Sequence, residues 1–289
     1  MRNIENIQWF PGHMAKTRRK IESSLKLVDI VAELVDARIP VSSRNPVING
    51  IINNKPRIIL LNKADMADPK QTEKWVEYFK SKKIKALPID CKSGRGLNKI
   101  LPVCKEVLTE QIAAWNRKGM VGRPIKVMVV GVPNVGKSSL INKMCLGGKA
   151  GKAKVEDRPG VTRDNKWFTI GKGFELLDTP GVLWPKFEDP IVGQRLAFTG
   201  AVKDDVIDVE GLSFKLVEDL ELLYPNYVND RFNIQIEKGL EGHKILEAIG
   251  IKRGMLISGG EIDYLRAAVM VLDEYRSGKL GRITLEQVN

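Results

Sequence analysis

The sequence predicts an α/β fold, in which a mostly parallel sheet carries helices on both faces, followed by a small all-helical domain. Three features of the chain indicate this fold. Apolar runs typical of buried strands alternate with helical patterns through most of the chain. A glycine-bounded loop stands between one such run and a helical pattern. Beyond residue 189 only helical patterns recur, with a turn expected at Pro225, and we predict domains at residues 1–185 and 186–289.

The chain begins with an unusual aromatic cluster. Residues 1–28 open with Gln8-Trp9-Phe10-Pro11-Gly12-His13-Met14 and continue into a basic helical pattern. Chain ends normally fray, so two adjacent aromatic residues beside a turn are uncommon there. On the residues alone, we interpret Trp9 and Phe10 as side chains that dock the terminus on the core, with His13 on the turn.

A base-reading element follows the second predicted strand. The pattern predicts strands at 30–35, 57–61 and 84–90 and helices at 45–53, 69–83 and 97–115. The tetrapeptide Asn62-Lys63-Ala64-Asp65 follows the strand at 57–61. A carboxylate at Asp65 can accept two hydrogen bonds from the guanine edge, which adenine cannot supply. We therefore take Asn62, Lys63 and Asp65 as candidate guanine-binding residues. For the tetrapeptide alone, the alternative is a turn with Asp65 as a helix cap.

The loop after the third predicted strand is a weaker candidate. Here Cys91, Lys92 and Ser93 could offer a backbone N–H to the guanine carbonyl, although a plain turn is a near-equal interpretation. Residues 117–124 then form a Gly-containing linker that leads to the next strand, at 125–130.

The phosphate-binding loop is the strongest motif. Residues 131–138 read Gly-Val-Pro-Asn-Val-Gly-Lys-Ser and lie between the apolar run 125–130 and a helical pattern. The glycines allow backbone N–H groups to point at phosphates, and the helix dipole adds positive potential. Lys137 would reach the outer phosphates and Ser138 would bind Mg²⁺. The candidate nucleotide-binding residues are Asn134, Val135, Gly136, Lys137, Ser138 and Ser139. A glycine-rich turn before a core helix is the alternative.

A second phosphate element is Asp178-Thr179-Pro180-Gly181. Asp178 at a strand end would hold Mg²⁺ through water, and the Gly181 N–H would meet the terminal phosphate. Between the two elements, Thr162 could close over the metal, with a surface turn as the alternative. Residues 146–158 have little periodicity, and we interpret them as a mobile switch loop.

The order of these motifs indicates a circular permutation. In ordinary small GTPases the phosphate loop comes first, whereas here Asn62 precedes Gly131 by 69 residues. Such rearrangement is tolerable because domain termini tend to lie close together at the surface. The linker at 117–124 would be the seam.

Charge is distributed unevenly along the chain. Residues 1–189 carry 35 Lys and Arg against 19 Asp and Glu, whereas residues 190–289 carry 12 against 16. The basic part favours a polyanionic partner such as RNA or an acidic membrane; lysines that serve only solubility are the alternative. The three cysteines are widely spaced and fit a reducing compartment. Because no apolar segment near the start and no run approaching eighteen apolar residues is visible, we expect a soluble protein.

These motifs resemble those of the circularly permuted GTPases, and most closely the YlqF/RbgA family of ribosome biogenesis GTPase A. The resemblance also covers Gln8 to Met14, Asp36-Ala37-Arg38, Pro159 to Thr162 and Trp184-Pro185-Lys186. It implies a permuted P-loop GTPase domain that binds GTP/GDP with Mg²⁺, and a cytoplasmic protein that acts late in assembly of the large ribosomal subunit. The implied partner is the large-subunit precursor, both rRNA and ribosomal proteins, contacted through a helical RNA-binding C-terminal domain. We expect a monomer without membrane contact.

The resemblance assigns roles to two further residues. Val182 stands where many GTPases carry a water-orienting glutamine, so catalysis needs another group, and the resemblance points to His13. Asn134 matches the asparagine that helps related GTPases hold K⁺ against the phosphates.

Lys252-Arg253-Gly254 and Arg266 are candidate RNA contacts in the net acidic C-terminal part, with solvated helix ends as the alternative.

Two other functions remain open at this point. One is an RNA-binding scaffold that GTP switches and whose hydrolysis is incidental, which Val182 and the lack of an obvious arginine finger favour. The other is a GTPase that acts on another RNA such as tRNA, or at an acidic membrane.

Overall fold

A seven-stranded sheet forms the centre of the computed structural model, which describes residues 19, 21–52, 55–147, 155–156, 166–171, 173–179 and 189–288. The strands are β1 (Ile30–Asp36), β2 (Arg57–Asn62), β3 (Lys85–Pro88), β4 (Ile125–Val130), β5 (Val155–Glu156), β6 (Trp167–Thr169) and β7 (Phe174–Asp178). Their spatial order is β3-β2-β1-β4-β7-β6-β5. The first five of these are parallel, and β6 and β5 continue the sheet antiparallel. The predicted mostly parallel sheet is confirmed.

Ten α-helices with fully described bounds surround and follow the sheet. They are α1 (Pro46–Ile52), α2 (Pro69–Ser81), α3 (Ile100–Val107), α4 (Thr109–Arg117), α5 (Lys137–Gly147), α6 (Pro190–Phe198), α7 (Val209–Leu223), α8 (Pro225–Phe232), α9 (Gly242–Lys252) and α10 (Tyr264–Ser277). Residues 21–25 are also helical, and short 3₁₀ turns lie at Leu97–Lys99 and Asp204–Val206. Apart from one antiparallel bridge between Leu256 and Ile262, regular structure in the described residues beyond 189 is helical, as predicted.

Both faces of the sheet are covered, and β4 shows how its sequence achieves this. Side chains alternate across a strand, and here Val127 and Val129 join one hydrophobic cluster while Met128 and Val130 join another. A strand buried on both faces needs this nearly continuous apolar run. The first cluster also includes C-terminal side chains, such as Leu216 of α7, so the C-terminal helices share the core of the sheet.

Three elements differ from the prediction. The expected single helix at 97–115 is interrupted at Leu108, where the Thr109 hydroxyl donates to the Lys105 and Glu106 carbonyls and competes with the helical ladder. Pro225, expected in a turn, begins α8, because proline fits the first helical position. Within the predicted switch loop, Val155–Glu156 form the edge strand β5, which is too short to leave a periodic pattern.

The last described segment returns to the sheet. Helix α10 ends at Ser277 and is capped by Gly278, whose left-handed φ of +76° suits glycine at a helix C-terminus. We call residues 279–288 the C-terminal tail. Its Ile283, Thr284 and Leu285 are buried, and it crosses loops that follow β1 and β2. In the described ranges, no helix is both long and apolar enough to span a bilayer. The predicted boundary at 185/186 falls outside the described residues.

Candidate nucleotide-binding site

The phosphate-binding loop connects β4 to α5 and depends on its two glycines. A Cβ at Gly131 would lie 2.5 Å from the Leu34 carbonyl oxygen, and one at Gly136 would lie 2.4 Å from the Asn62 amide nitrogen. Gly136 also has a φ of +105°, which a side chain would disfavour. These glycines therefore let the loop curl closely against β1 and the base-reading element.

Lys137 lies folded back on its own loop. Its Nζ donates to the Gly131 carbonyl at 2.9 Å and to the Val132 carbonyl at 2.7 Å. Burial lowers the pKa of Lys137 to about 8, although the nearby Asp178 carboxylate opposes the shift. A buried cation with few charged neighbours is well placed to gain from an anionic ligand. This environment fits a phosphate group.

The loop opens onto a cleft of about 510 Å³ that also contains the end of β7. Its lining residues are Pro133, Asn134, Gly136, Lys137, Ser138, Ser139, Asp178 and Thr179. β4 and β7 are adjacent, with Val129 in register with Asp178, and the Thr179 hydroxyl donates to the Val129 carbonyl at 2.6 Å. The sheet thus brings the two predicted oxygen ligands, Ser138 and Asp178, to one cleft.

Such oxygen donors suit Mg²⁺, which is typically held by one or two protein groups together with phosphate and water. Among the residues that the structure describes, no cluster of three or more His, Cys, Asp and Glu could hold a metal by itself. A Ser and an Asp beside a phosphate loop do not require such a cluster.

Asn62 joins three loops of the site. Its side-chain amide donates to the Val135 carbonyl at 2.7 Å, and its Oδ1 accepts from the Cys91 backbone N–H at 3.0 Å. Asn62 is buried, so both contacts are shielded from water. The predicted nucleotide-binding residue Asn62 therefore ties the base-reading element to the phosphate loop and to the loop after β3. Val135 is buried as well, and its carbonyl serves this link.

Asp65 presents an unsatisfied acceptor in the base-reading loop. In the described part of the chain, its Oδ1 is buried and has no hydrogen-bond partner. A buried carboxylate oxygen without a donor is costly, and the two donors on the guanine edge would satisfy it. The Ala64 N–H donates to the Ile89 carbonyl at 3.2 Å, which holds the loop beside β3.

Backbone donors of the loop after β3 are already engaged. Cys91 donates to Asn62, whereas Lys92 and Ser93 donate to the Asp90 carboxylate at 2.8 and 3.2 Å. Burial raises the pKa of the Cys91 thiol to about 12. The predicted contact of this loop with a guanine carbonyl would thus need one of these N–H groups to be shared.

Asp36 and Arg38 are site residues to which sequence reasoning gave no role. The Arg38 Nε and Nη2 donate to the two oxygens of Asp36 at 3.0 and 2.9 Å, and Lys63 Nζ lies 2.9 Å from Asp36 Oδ2. Burial alone would raise the pKa of Asp36, but the charges of Arg38 and Lys63 outweigh it and hold that pKa well below its usual range. The sequence feature that could have indicated these site residues is an Asp and an Arg two residues apart at the end of a buried strand.

The cluster also reaches the C-terminal helices. Arg38 Nη1 donates to the Tyr275 carbonyl at 3.0 Å, and its guanidinium lies 4.9 Å from the centre of the Tyr275 ring. Asn134 makes a second such connection, because its amide donates to the Gly200 carbonyl at 2.5 Å. Both ends of the candidate site therefore contact the helical part of the chain.

Comparisons with known proteins agree with this geometry. A curated protein from Bacillus cereus, "Ribosome biogenesis GTPase A", is 48% identical over 97% of this chain and 93% of its own length. The chain belongs to the ribosome biogenesis GTPase A family. A protein of that name from Thermotoga maritima is 33% identical over 97% of this chain and 94% of its own length. The mouse "Mitochondrial ribosome-associated GTPase 1" is 35% identical over 97% of this chain and 90% of its own length.

Solved structures and a family model support membership of the ribosome biogenesis GTPase A family. GDP-bound TM YlqF has a TM-score of 0.68 at 28% identity and covers 93% of this chain and 99% of its own. GNP-bound YlqF from T. maritima has a TM-score of 0.64 at 28% identity, with 94% and 98% covered. The model described as "50S ribosome-binding GTPase" matches residues 126–219. As a member of this family, the chain is a GTP hydrolase with a permuted P-loop fold.

Several predicted residues of this GTPase lie outside the described part of the chain. They are His13, Thr162, Gly181 and Val182. Among the candidate RNA contacts, the guanidinium carbon of Arg253 lies 5.3 Å from the centre of the Phe232 ring. Arg266 is exposed and lines a surface groove of about 950 Å³ beside α10.

Proposed function

We propose that the chain reads guanine through Asp65 and hydrolyses GTP during late assembly of the large ribosomal subunit. The observation that carries the proposal is the buried Oδ1 of Asp65, which lacks a partner among the described residues and lies in the loop that Asn62 ties to the phosphate loop. A guanine base offers the two donors that this carboxylate needs. The names of the relatives, which include ribosome biogenesis and ribosome association, support the ribosomal setting.

Residues of the phosphate-binding cleft would bind the phosphates and the metal ions. Lys137 would exchange its two carbonyl partners for the outer phosphates, which add negative charge to that of the nearby Asp178 carboxylate. Ser138 and Asp178 would hold Mg²⁺, Ser138 directly and Asp178 through water. Asn134 is the candidate ligand for K⁺. GTP, when bound, supplies the phosphoryl group that passes to water.

Catalysis would depend on orientation and charge. Lys137 and the Gly181 N–H would stabilise negative charge on the terminal phosphate. Thr162 would close over the metal, and His13 would orient the attacking water when the ribosomal particle is bound. Because His13 would orient the water only when the partner is bound, turnover should be slow without the partner.

The remaining parts of the proposal concern the partner. We assign the GTPase domain to residues 1–185 and RNA binding to residues 186–289, in a cytoplasmic, monomeric protein. The excess of Lys and Arg in residues 1–189 supports contact with rRNA through the first domain as well.

The test is GTP hydrolysis in potassium buffer with purified large subunits, small subunits or tRNA. We expect strong stimulation by large subunits alone, and none for a Lys137→Met control that lacks the phosphate-binding amine. Stimulation by tRNA instead would identify a different RNA substrate. Turnover that stays slow with every particle would favour the RNA-binding scaffold that GTP switches.

A further inference from the structure

The C-terminal tail lies directly against the base-reading element. The Ile283 N–H donates to the Met66 carbonyl at 2.9 Å, and the Leu285 N–H donates to the Arg38 carbonyl at 2.8 Å. One side chain in this segment reaches further. Arg282 donates from Nη2 to the Ala64 carbonyl and from Nε to the Ala67 carbonyl, both at 3.0 Å. Arg282 thus bridges the two ends of the turn that contains Asp65.

The Ala64 carbonyl belongs to the peptide unit that leads into Asp65. The N–H of Ala64 is held by the Ile89 carbonyl from the side of β3, and its carbonyl is held by Arg282 from the side of the tail. Fixing both groups of one residue leaves little freedom to rotate the next peptide. Lys63, one residue earlier, has a φ of +60°, a conformation that costs energy and persists only where neighbours enforce it. The orientation of Asp65 therefore depends on contacts outside the tetrapeptide.

The tail itself is anchored without Arg282. Glu286 accepts hydrogen bonds from the backbone of Val41 and Ser42, the latter at 3.0 Å, and forms an ion pair with Arg195 at 3.2 Å. The Trp75 indole N–H donates to the Glu286 carbonyl at 2.7 Å. Removal of the Arg282 guanidinium should therefore free the Ala64 and Ala67 carbonyls but leave the tail in place.

We propose that Arg282 is a positioning residue for guanine recognition, which fixes the Ala64 carbonyl so that the Asp65 carboxylate faces the base. This inference rests on the proposed guanine-reading role of Asp65. It also means that the segment after the last helix sets base selectivity at a site more than 200 residues earlier in the sequence.

The readout is the ratio of dissociation constants for IDP and GDP. Hypoxanthine lacks the exocyclic amine of guanine, so this ratio reports one hydrogen bond to Asp65, which we expect to be worth about tenfold or more. A purely structural loss would weaken both nucleotides equally. For Arg282→Met we expect the ratio to fall at least threefold, and for Arg282→Lys, which retains one donor group, to fall less. Arg117→Met, an exposed site at the end of α4 with the same change of side chain, is the control.

The outcomes separate the two proposals. An unchanged IDP/GDP ratio in Arg282→Met, with a reduced ratio in Asp65→Asn, would overturn the role of Arg282 and leave that of Asp65 intact. A wild-type ratio in Asp65→Asn would overturn both. Melting curves recorded in parallel show that each variant is folded, so the ratio is interpretable in every case.

Discussion

Replacement of Arg38 by Met tests the buried cluster behind the base-reading element. Arg38 is 1% exposed and makes a two-pronged ion pair with Asp36, a hydrogen bond to the Tyr275 carbonyl and a contact with the Tyr275 ring. Methionine preserves most of the apolar stem but leaves Asp36 with only half of its charge partners. Breaking a buried pair in this way typically costs about 3–5 kcal/mol.

The cost should be visible as a fall of roughly 10 °C in melting temperature, since each kcal/mol shifts it by about 2–4 °C in a protein of this size class. Glu106→Gln is the matched control, because the Lys85–Glu106 ion pair is 49% and 58% exposed and should contribute little. A second variant, Asp36→Leu with Arg38→Met, should recover part of the loss, because it removes the buried carboxylate that Arg38→Met leaves with only Lys63 as a charge partner.

The single variant Arg38→Met should also change the acid sensitivity of the fold. The pKa of Asp36 is held below its unfolded value of 3.8, so its contribution to stability is present above that pH and is lost as pH falls further. Without Arg38 the folded pKa rises, and acid unfolding should begin at a higher pH. A melting temperature within 3 °C of wild type and an unchanged acid transition would refute the assigned role of this cluster.

Three further results are expected. Cys91 and Cys104 are buried, and burial raises the pKa of both to about 12, whereas Cys145 is only half-buried. At pH 8, Ellman's reagent should therefore find one reactive thiol, Cys145, in the native protein and three in urea. Two or more reactive thiols in the native protein would contradict this burial. His13→Ala should retain GDP affinity but lose stimulation by large subunits, and full stimulation would remove His13 from the mechanism. Asn134→Ala should lose acceleration by K⁺ over Na⁺ with GDP affinity changed less than threefold; persistent K⁺ dependence would argue against Asn134 as the ligand.

Local sequence patterns predict the strands and loops that build the site. The phosphate loop and the base-reading tetrapeptide each follow an apolar run, and the structure places these runs in β4 and β2, with β1 between them. Carboxyl ends of parallel strands lie at one edge of a sheet, so the proximity of the two motifs follows once the strands are recognised. The helical character of the last hundred residues follows from periodicity in the same way.

Contacts between distant parts of the chain could not be predicted in this way. Arg282 looks like any exposed arginine near a chain end, and only the path of the C-terminal tail brings it to Ala64. The pairing of Asp36 with Lys63 depends on β1 and β2 being neighbours in register. Similarly, Asn62 was expected at the nucleotide, but its link to Val135 and Cys91 needs the folded sheet. Such roles belong to tertiary geometry, which no local pattern encodes.

Equilibrium binding of GDP and XDP to wild type and Asp65→Asn tests the central claim most directly, that Asp65 reads guanine. Xanthine carries a carbonyl in place of the exocyclic amine, so an amide at Asp65 would offer it the matching donor. We predict that wild type prefers GDP by at least about 100-fold, from two hydrogen bonds to a charged acceptor, and that the variant reverses this preference. An Asp65→Asn protein that still prefers GDP to XDP as wild type does would contradict the account.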